Sequence, residues 1–153
     1  MRVVFVTQYF PPETGAPQAR IYELASGLMD RGWEVSVLTA LPNYPIGTVF
    51  PEYRGKLWMR EVIGKIPVTR TWIKPSGSGR VIPRLFCALS FVVSAGVYGF
   101  LSRFRHDVLM SESPPLTVGP LGALLARRAR AKYIMNVSDL WPRSLIEMGV
   151  LRP

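Results

Sequence analysis

The sequence predicts a doubly wound α/β sheet, and three observations lead to it. Short β-branched apolar runs recur along the chain. They alternate with longer stretches of helical periodicity. The first two runs are joined by a glycine-containing loop and a helix within about forty residues, which makes a βαβ unit. The chain has 153 residues, 48% hydrophobic and 19% charged, a composition that suits one domain with a real core.

Val3 to Thr7 is a continuous apolar run, as expected of a strand covered on both faces. A proline-rich loop follows from Gln8 to Ala16. Pro17 to Arg31 reads as a helix: Pro17 suits the first turn, Ile21, Leu24, Ala25 and Leu28 share one face, and Gly32 is the expected stop. Glu34 to Thr39 is the second strand. Residues 41 to 65, rich in Pro, Gly and Tyr, read as one long loop, and Val68 to Ile73 as the third strand. Residues 75 to 79 form a Ser/Gly break. Leu85 to Leu101 is strongly apolar, Asp107 to Ser111 is the fourth strand, Leu116 to Arg130 a helix with a basic end, and Tyr133 to Val137 the fifth strand. Pro142 to Met148 reads as a short helix stopped by Gly149.

Sheets of this class bind ligands at the carboxyl ends of their strands. That rule singles out the loops 8–16, 40–50, 111–115 and 138–142. In the first, Thr14, Gly15 and Ala16 precede a helix whose N-terminus favours an anion. The loop is either a phosphate or sugar contact or a plain turn needing a small residue. It has neither GxGxxG nor a GKS/T phosphate loop, which argues against a classical NAD or ATP site. In the second, Asn43 and Tyr44 stand between prolines, as an amide and a ring suited to sugar or as parts of a rigid turn. Glu112 and Ser113 close the fourth strand. Asp139 follows the fifth, where it serves as a positioned carboxylate or as the cap of the next helix. Glu112 is the nearest second carboxylate, at a spacing the sequence does not fix.

The formal charge of +9 favours anionic partners. Nucleic acid is the weakest of these, since no basic–aromatic interleaving accompanies the charge. The single cysteine, Cys87, and single histidine, His106, exclude a disulfide framework and a Cys-based zinc site. The N-terminal apolar run is too short for a signal-peptide core, so a cytoplasmic location is expected. Leu85 to Ser102 carries no charge and as a helix would be about 27 Å long. It reads as a helix packed on the sheet, as one resting on anionic lipid, or as a span. A span would divide the sheet across the membrane. On the lipid reading, Arg84 and Arg103 flank the contact while Phe86 and Phe91 enter it. The basic group Arg127, Arg128, Arg130 and Lys132 suits a helix C-terminus.

Taken in order, "YFPPETGAPQARIYELASGLMDRGWEVSVLTALPNYPIG", "PEYRGKLWMRE", "VTRTW", "SESPPLTVG" and "NVSDLWPRSLIEMGVL" resemble the N-terminal domain of a family 4 glycosyltransferase of the GT-B fold, nearest the WbuB-like subgroup. The resemblance runs through almost the whole chain. It implies a Rossmann-like acceptor-side domain of a retaining enzyme that uses a nucleotide sugar, UDP-linked, without a metal or other cofactor. The acceptor it implies is a lipid-linked saccharide at the inner face of the plasma membrane, in bacterial surface-polysaccharide synthesis. It also implies that a C-terminal nucleotide-sugar domain with a Glu-x7-Glu motif lies outside these residues, so that this piece alone would transfer no sugar. By position, Thr14, Gly15 and Ala16 match the glycine-rich loop near the donor phosphates, with Arg20 beside it. Asn43, Tyr44, Glu112 and Ser113 fall on the acceptor side, and Asp139 matches a catalytically important polar position. Two departures stand out: Gly15-Ala16 where many relatives have two glycines, and Ser138 where many have histidine. The competing reading is a non-catalytic membrane-associated binding module.

Overall fold

A computed structural model describes residues 1–102 and 105–138. The alternation of Val3, Val4, Phe5 and Val6 in strand β1 (Arg2–Val6) sends side chains to both faces of one sheet. Val3 and Phe5 pack with Ile21 and Ala25 of helix α1 (Ala16–Asp30), and Val4 and Val6 pack on the opposite side with Phe91, Ala95 and Leu121. That second layer is made by α2 (Val81–Leu101) and α3 (Val118–Ala129). The sheet is completed by β2 (Glu34–Ala40), β3 (Trp58–Ile63), β4 (Ile66–Thr71), β5 (Val108–Ser113) and β6 (Lys132–Val137). Its order is β3-β4-β2-β1-β5-β6, and every pairing is parallel except β3 with β4. The order reverses at β1, so the crevice expected to hold ligands lies above β1 and β5.

The described residues form six strands, one more than the sequence pattern indicates. β3 lies inside the segment read as a loop, after a short 3-10 turn, Pro51–Tyr53. It is an edge strand with Arg60 and Glu61 at its centre, and Gly64 (φ 62) turns the chain back into β4. Charged residues on an exposed edge are a device against edge pairing, and here they concealed the strand. β4 ends at Thr71, two residues before the expected end.

α2 starts at Val81, four residues before the apolar run. Pro83 falls in its first turn, where a missing N–H costs nothing. The helix lies on the sheet: Cys87, Ala88, Phe91, Ala95 and Gly99 are buried. Among these is Phe91, at 0% exposure, so its assignment to lipid contact is corrected; its ring belongs to the core. Because strands on either side of α2 in sequence share one sheet, the helix does not divide the fold. Its other face is open, with Phe86 at 61% and Val93 at 64% exposure. The basic end of α3 is partly engaged: Arg128 donates to the Phe100 carbonyl (2.7 Å) and lies 5.2 Å from that ring's centre. α3 itself sits very close to the sheet. A Cβ on Gly122 would overlap Ser111 Oγ and fall 2.8 Å from Tyr133 Cε2.

Candidate functional site

The loops at the strand ends are locked together by two buried charges. Glu13 is 2% exposed. Its Oε1 accepts from the backbone N–H groups of Asn43 and Tyr44 (2.8 Å each), and its Oε2 accepts from Phe10 N–H (3.2 Å). One carboxylate therefore ties the β1–α1 loop to the loop after β2. Burial raises the Glu13 pKa, and the three backbone donors pull in the other direction. Arg70, on β4, is fully buried. Its guanidinium donates to the Pro11 carbonyl, the Ala40 carbonyl (3.2 Å) and Glu61 Oε1, and lies 5.2 Å from the centre of the Tyr53 ring. Neither residue was singled out from the sequence. An acid set among prolines at a strand end was the available signal for Glu13. For Arg70 there was none, because an arginine in a strand ordinarily reads as solvent-facing.

A second cluster lies where β5, β6 and α1 meet. Glu112, 1% exposed, ends β5. It accepts from Asn136 Nδ2 (2.7 Å), Ser138 Oγ (2.6 Å) and the Arg20 guanidinium. Arg20 Nη2 also reaches Ser138 Oγ at 2.6 Å, while 46% of its side chain remains accessible. Glu112 thus fixes the orientation of Arg20 and leaves guanidinium N–H groups available to an anion. Beside them, Thr14, Gly15 and Ala16 are exposed at the start of α1. Gly15 is the N-cap, no side chain caps the helix, and no acid occupies its first turn. The N–H groups there and the positive end of the helix dipole favour a negatively charged ligand.

The structure thus brings Arg20, Glu112 and the Thr14–Ala16 turn to one stretch of rim. Asn43 is turned inward: it is buried, and its Nδ2 donates to the Leu41 carbonyl (3.0 Å). Tyr44 is 47% exposed, and its ring meets Tyr9 edge-on at 5.6 Å. Burial pushes the Tyr9 phenol up to about 12. Ser113 is buried with its Oγ unpartnered among the described residues, as is Gln8 Oε1. Arg84 and Phe86 are exposed at the start of α2. Asp139 and Arg103 lie outside the described residues. So does the expected helix from Pro142 to Met148. Among the described residues no group of three His, Cys, Asp or Glu side chains is placed to hold a metal ion. A cavity between the ends of α2 and α3, lined by Gly99, His106, Leu125 and Arg128, opens at the opposite end of the sheet from this rim.

The fold has counterparts. The structure aligns with the catalytic domain of starch synthase IV from Arabidopsis thaliana, solved bound to ADP and acarbose, at a TM-score of 0.61 and 15% identity, covering 88% of this chain and 33% of that one. The shared architecture is the half-fold of a GT-B glycosyltransferase. WcaI of Escherichia coli (strain K12), named as a colanic acid biosynthesis glycosyl transferase, is 27% identical over 150 residues, 97% of this chain and 36% of that protein. The chain therefore spans about a third of the length of the relatives it matches. The family model of the glycosyl transferase 4-like domain matches residues 15–153, beginning at the glycine that opens the rim, and the chain belongs to that family.

Proposed function

We propose that this chain forms the acceptor-side half of a retaining glycosyltransferase, which moves a sugar from a nucleotide donor to a lipid-linked saccharide. The observation that carries this reading is the rim cluster, in which buried Glu112 holds a half-accessible Arg20 beside the uncapped start of α1. A fixed cation and a helix N-terminus together suit the diphosphate of a nucleotide sugar, which departs as the sugar is transferred and gains charge in doing so. The ADP bound by the starch synthase supports a nucleotide ligand. The name of WcaI supports a role in bacterial surface polysaccharide synthesis. In this reading the donor is UDP-linked and sits mainly in a second domain outside these residues. No metal or other cofactor takes part, and the enzyme works at the cytoplasmic face of the plasma membrane. Asp139, next to Ser138 in sequence, is the proposed polar group at the transferred sugar.

The test is sugar transfer by the enzyme containing both domains, with Arg20→Ala and Asp139→Asn variants. Each is expected to lower kcat by about 10²-fold or more, the scale of a lost transition-state donor or acid–base group. Normal turnover in Arg20→Ala would remove the rim cluster from the chemistry. Normal turnover in Asp139→Asn would leave that carboxylate the role of a cap.

A further inference from the structure

α2 carries an open apolar face, and its first half lies at the same end of the sheet as the rim. Ile82, Phe86, Leu89, Val93, Val97 and Phe100 recur at helical spacing and are all exposed. They lie opposite the buried row of Cys87, Phe91 and Ala95. The first half of the helix reaches the ligand end of the sheet: Gln8 Nε2 contacts Cys87 Sγ at 3.8 Å, and Lys74 N–H donates to Ser90 Oγ at 2.8 Å. Arg84 stands there too, where its charge acts on both Tyr9 and Cys87. Two aromatic residues of the β3–β4 hairpin continue the surface. Trp58 is 57% exposed, with its ring 5.8 Å from that of Tyr98 on α2, and exposed Trp72 lies beside α2 through Ser94, whose Oγ donates to the Trp72 carbonyl.

We infer that this surface docks on an anionic phospholipid bilayer, with the rim held at the head-group level. The inference rests on the glycosyltransferase reading only for its purpose, the delivery of a lipid-linked acceptor. Charge selects the occupant. α2 carries no acidic side chain, its ends and flanks supply Lys74, Arg80, Arg84 and Arg105, and the whole chain has a formal charge of +9. A long apolar stripe with cations at its ends suits acyl chains below phosphates. Indole rings at its border suit the interface, where one edge is apolar and the other wet. In this orientation a head-group phosphate near Arg84 would lie beside Tyr9, on the loop that leads to Gly15.

Flotation of the 153-residue chain with phosphatidylglycerol-containing and pure phosphatidylcholine vesicles tests it. Binding to the anionic vesicles, weakened by salt, is expected. The double variant Phe86→Glu/Val93→Glu should lower that partitioning by about tenfold or more, with unchanged circular dichroism. Leu24→Glu, on α1 across the sheet, should leave it unchanged. Three results would overturn the inference: no binding to anionic vesicles at physiological salt, full binding by the double variant, or a dimer in solution that the double variant dissociates. A two-domain enzyme carrying the double variant should still transfer sugar to a short-chain, water-soluble acceptor. Loss of that activity in the unaltered enzyme would count against the transferase reading alone, whatever the vesicles show.

Discussion

Glu13 and Asp107 are two carboxylates with opposite pH behaviour. Burial raises the Glu13 pKa above its ordinary value. Its folding contribution is therefore greatest below the unfolded value and declines as pH rises through the folded one. Asp107 is solvent-exposed and bound by Arg2 through a side-chain ion pair (2.7 Å) and the Arg2 N–H (2.8 Å), which hold its pKa at about 2. Its contribution is present above the unfolded value, near 4, and is lost as pH falls through about 2. Asp107→Asn should thus flatten the acid limb of a stability-versus-pH curve measured by denaturant unfolding, and salt should reduce the difference. Glu13→Ala leaves the N–H groups of Phe10, Asn43 and Tyr44 without their acceptor. A loss of roughly 1–3 kcal/mol is expected for such buried unpaired groups, with the midpoint of urea unfolding as the measure. Arg70→Ala strands Glu61 and two carbonyls and should cost about 3–5 kcal/mol, as removing one partner of a buried pair does.

Elements were legible in the sequence where one physical signal dominated. β1 and β2 carry β-branched runs, and α1 has a proline in its first turn and Gly32 after its end, so all three were placed within a residue or two. β3 was not legible, because an edge strand with one exposed face and central charges has the composition of a loop. The start of α2 was displaced because its first turn contains Pro83 and Arg84, which interrupt an apolar pattern without interrupting a helix. Of the candidate site, the loops followed from topology alone, and Glu112 and Gly15 were found with them, whereas Arg20 came from the family resemblance. Glu13 and Arg70 were not found, since each joins loops through partners thirty or more residues away, Asn43 and Tyr44 for Glu13 and Pro11 and Ala40 for Arg70. α3 offers a test at this scale. Gly122 is where the helix comes closest to β5 and β6, so Gly122→Ala should destabilise the fold by about 1–3 kcal/mol through overpacking, read as a lower thermal midpoint.

At the scale of the molecule, the sheet separates two tasks. The β1–β5 crevice, with α1 above it, carries the polar rim, while the layer formed by α2 carries the apolar stripe. The β1–α1 loop and α2 touch inside the protein, at buried Gln8 and Cys87. The latch of Glu13 and Arg70 also bears on motion. It joins the loops after β1 and β2 to β4 and β3 through backbone carbonyls and N–H groups, so that wall of the rim behaves as a single stiff body. A ligand arriving there meets a preformed template and gains little from local rearrangement. On the proposed two-domain reading, closure around it comes from rotation of the facing domain as a unit. The amides of Phe10, Asn43 and Tyr44 should accordingly exchange hydrogen at one common rate, and Glu13→Ala should accelerate all three together.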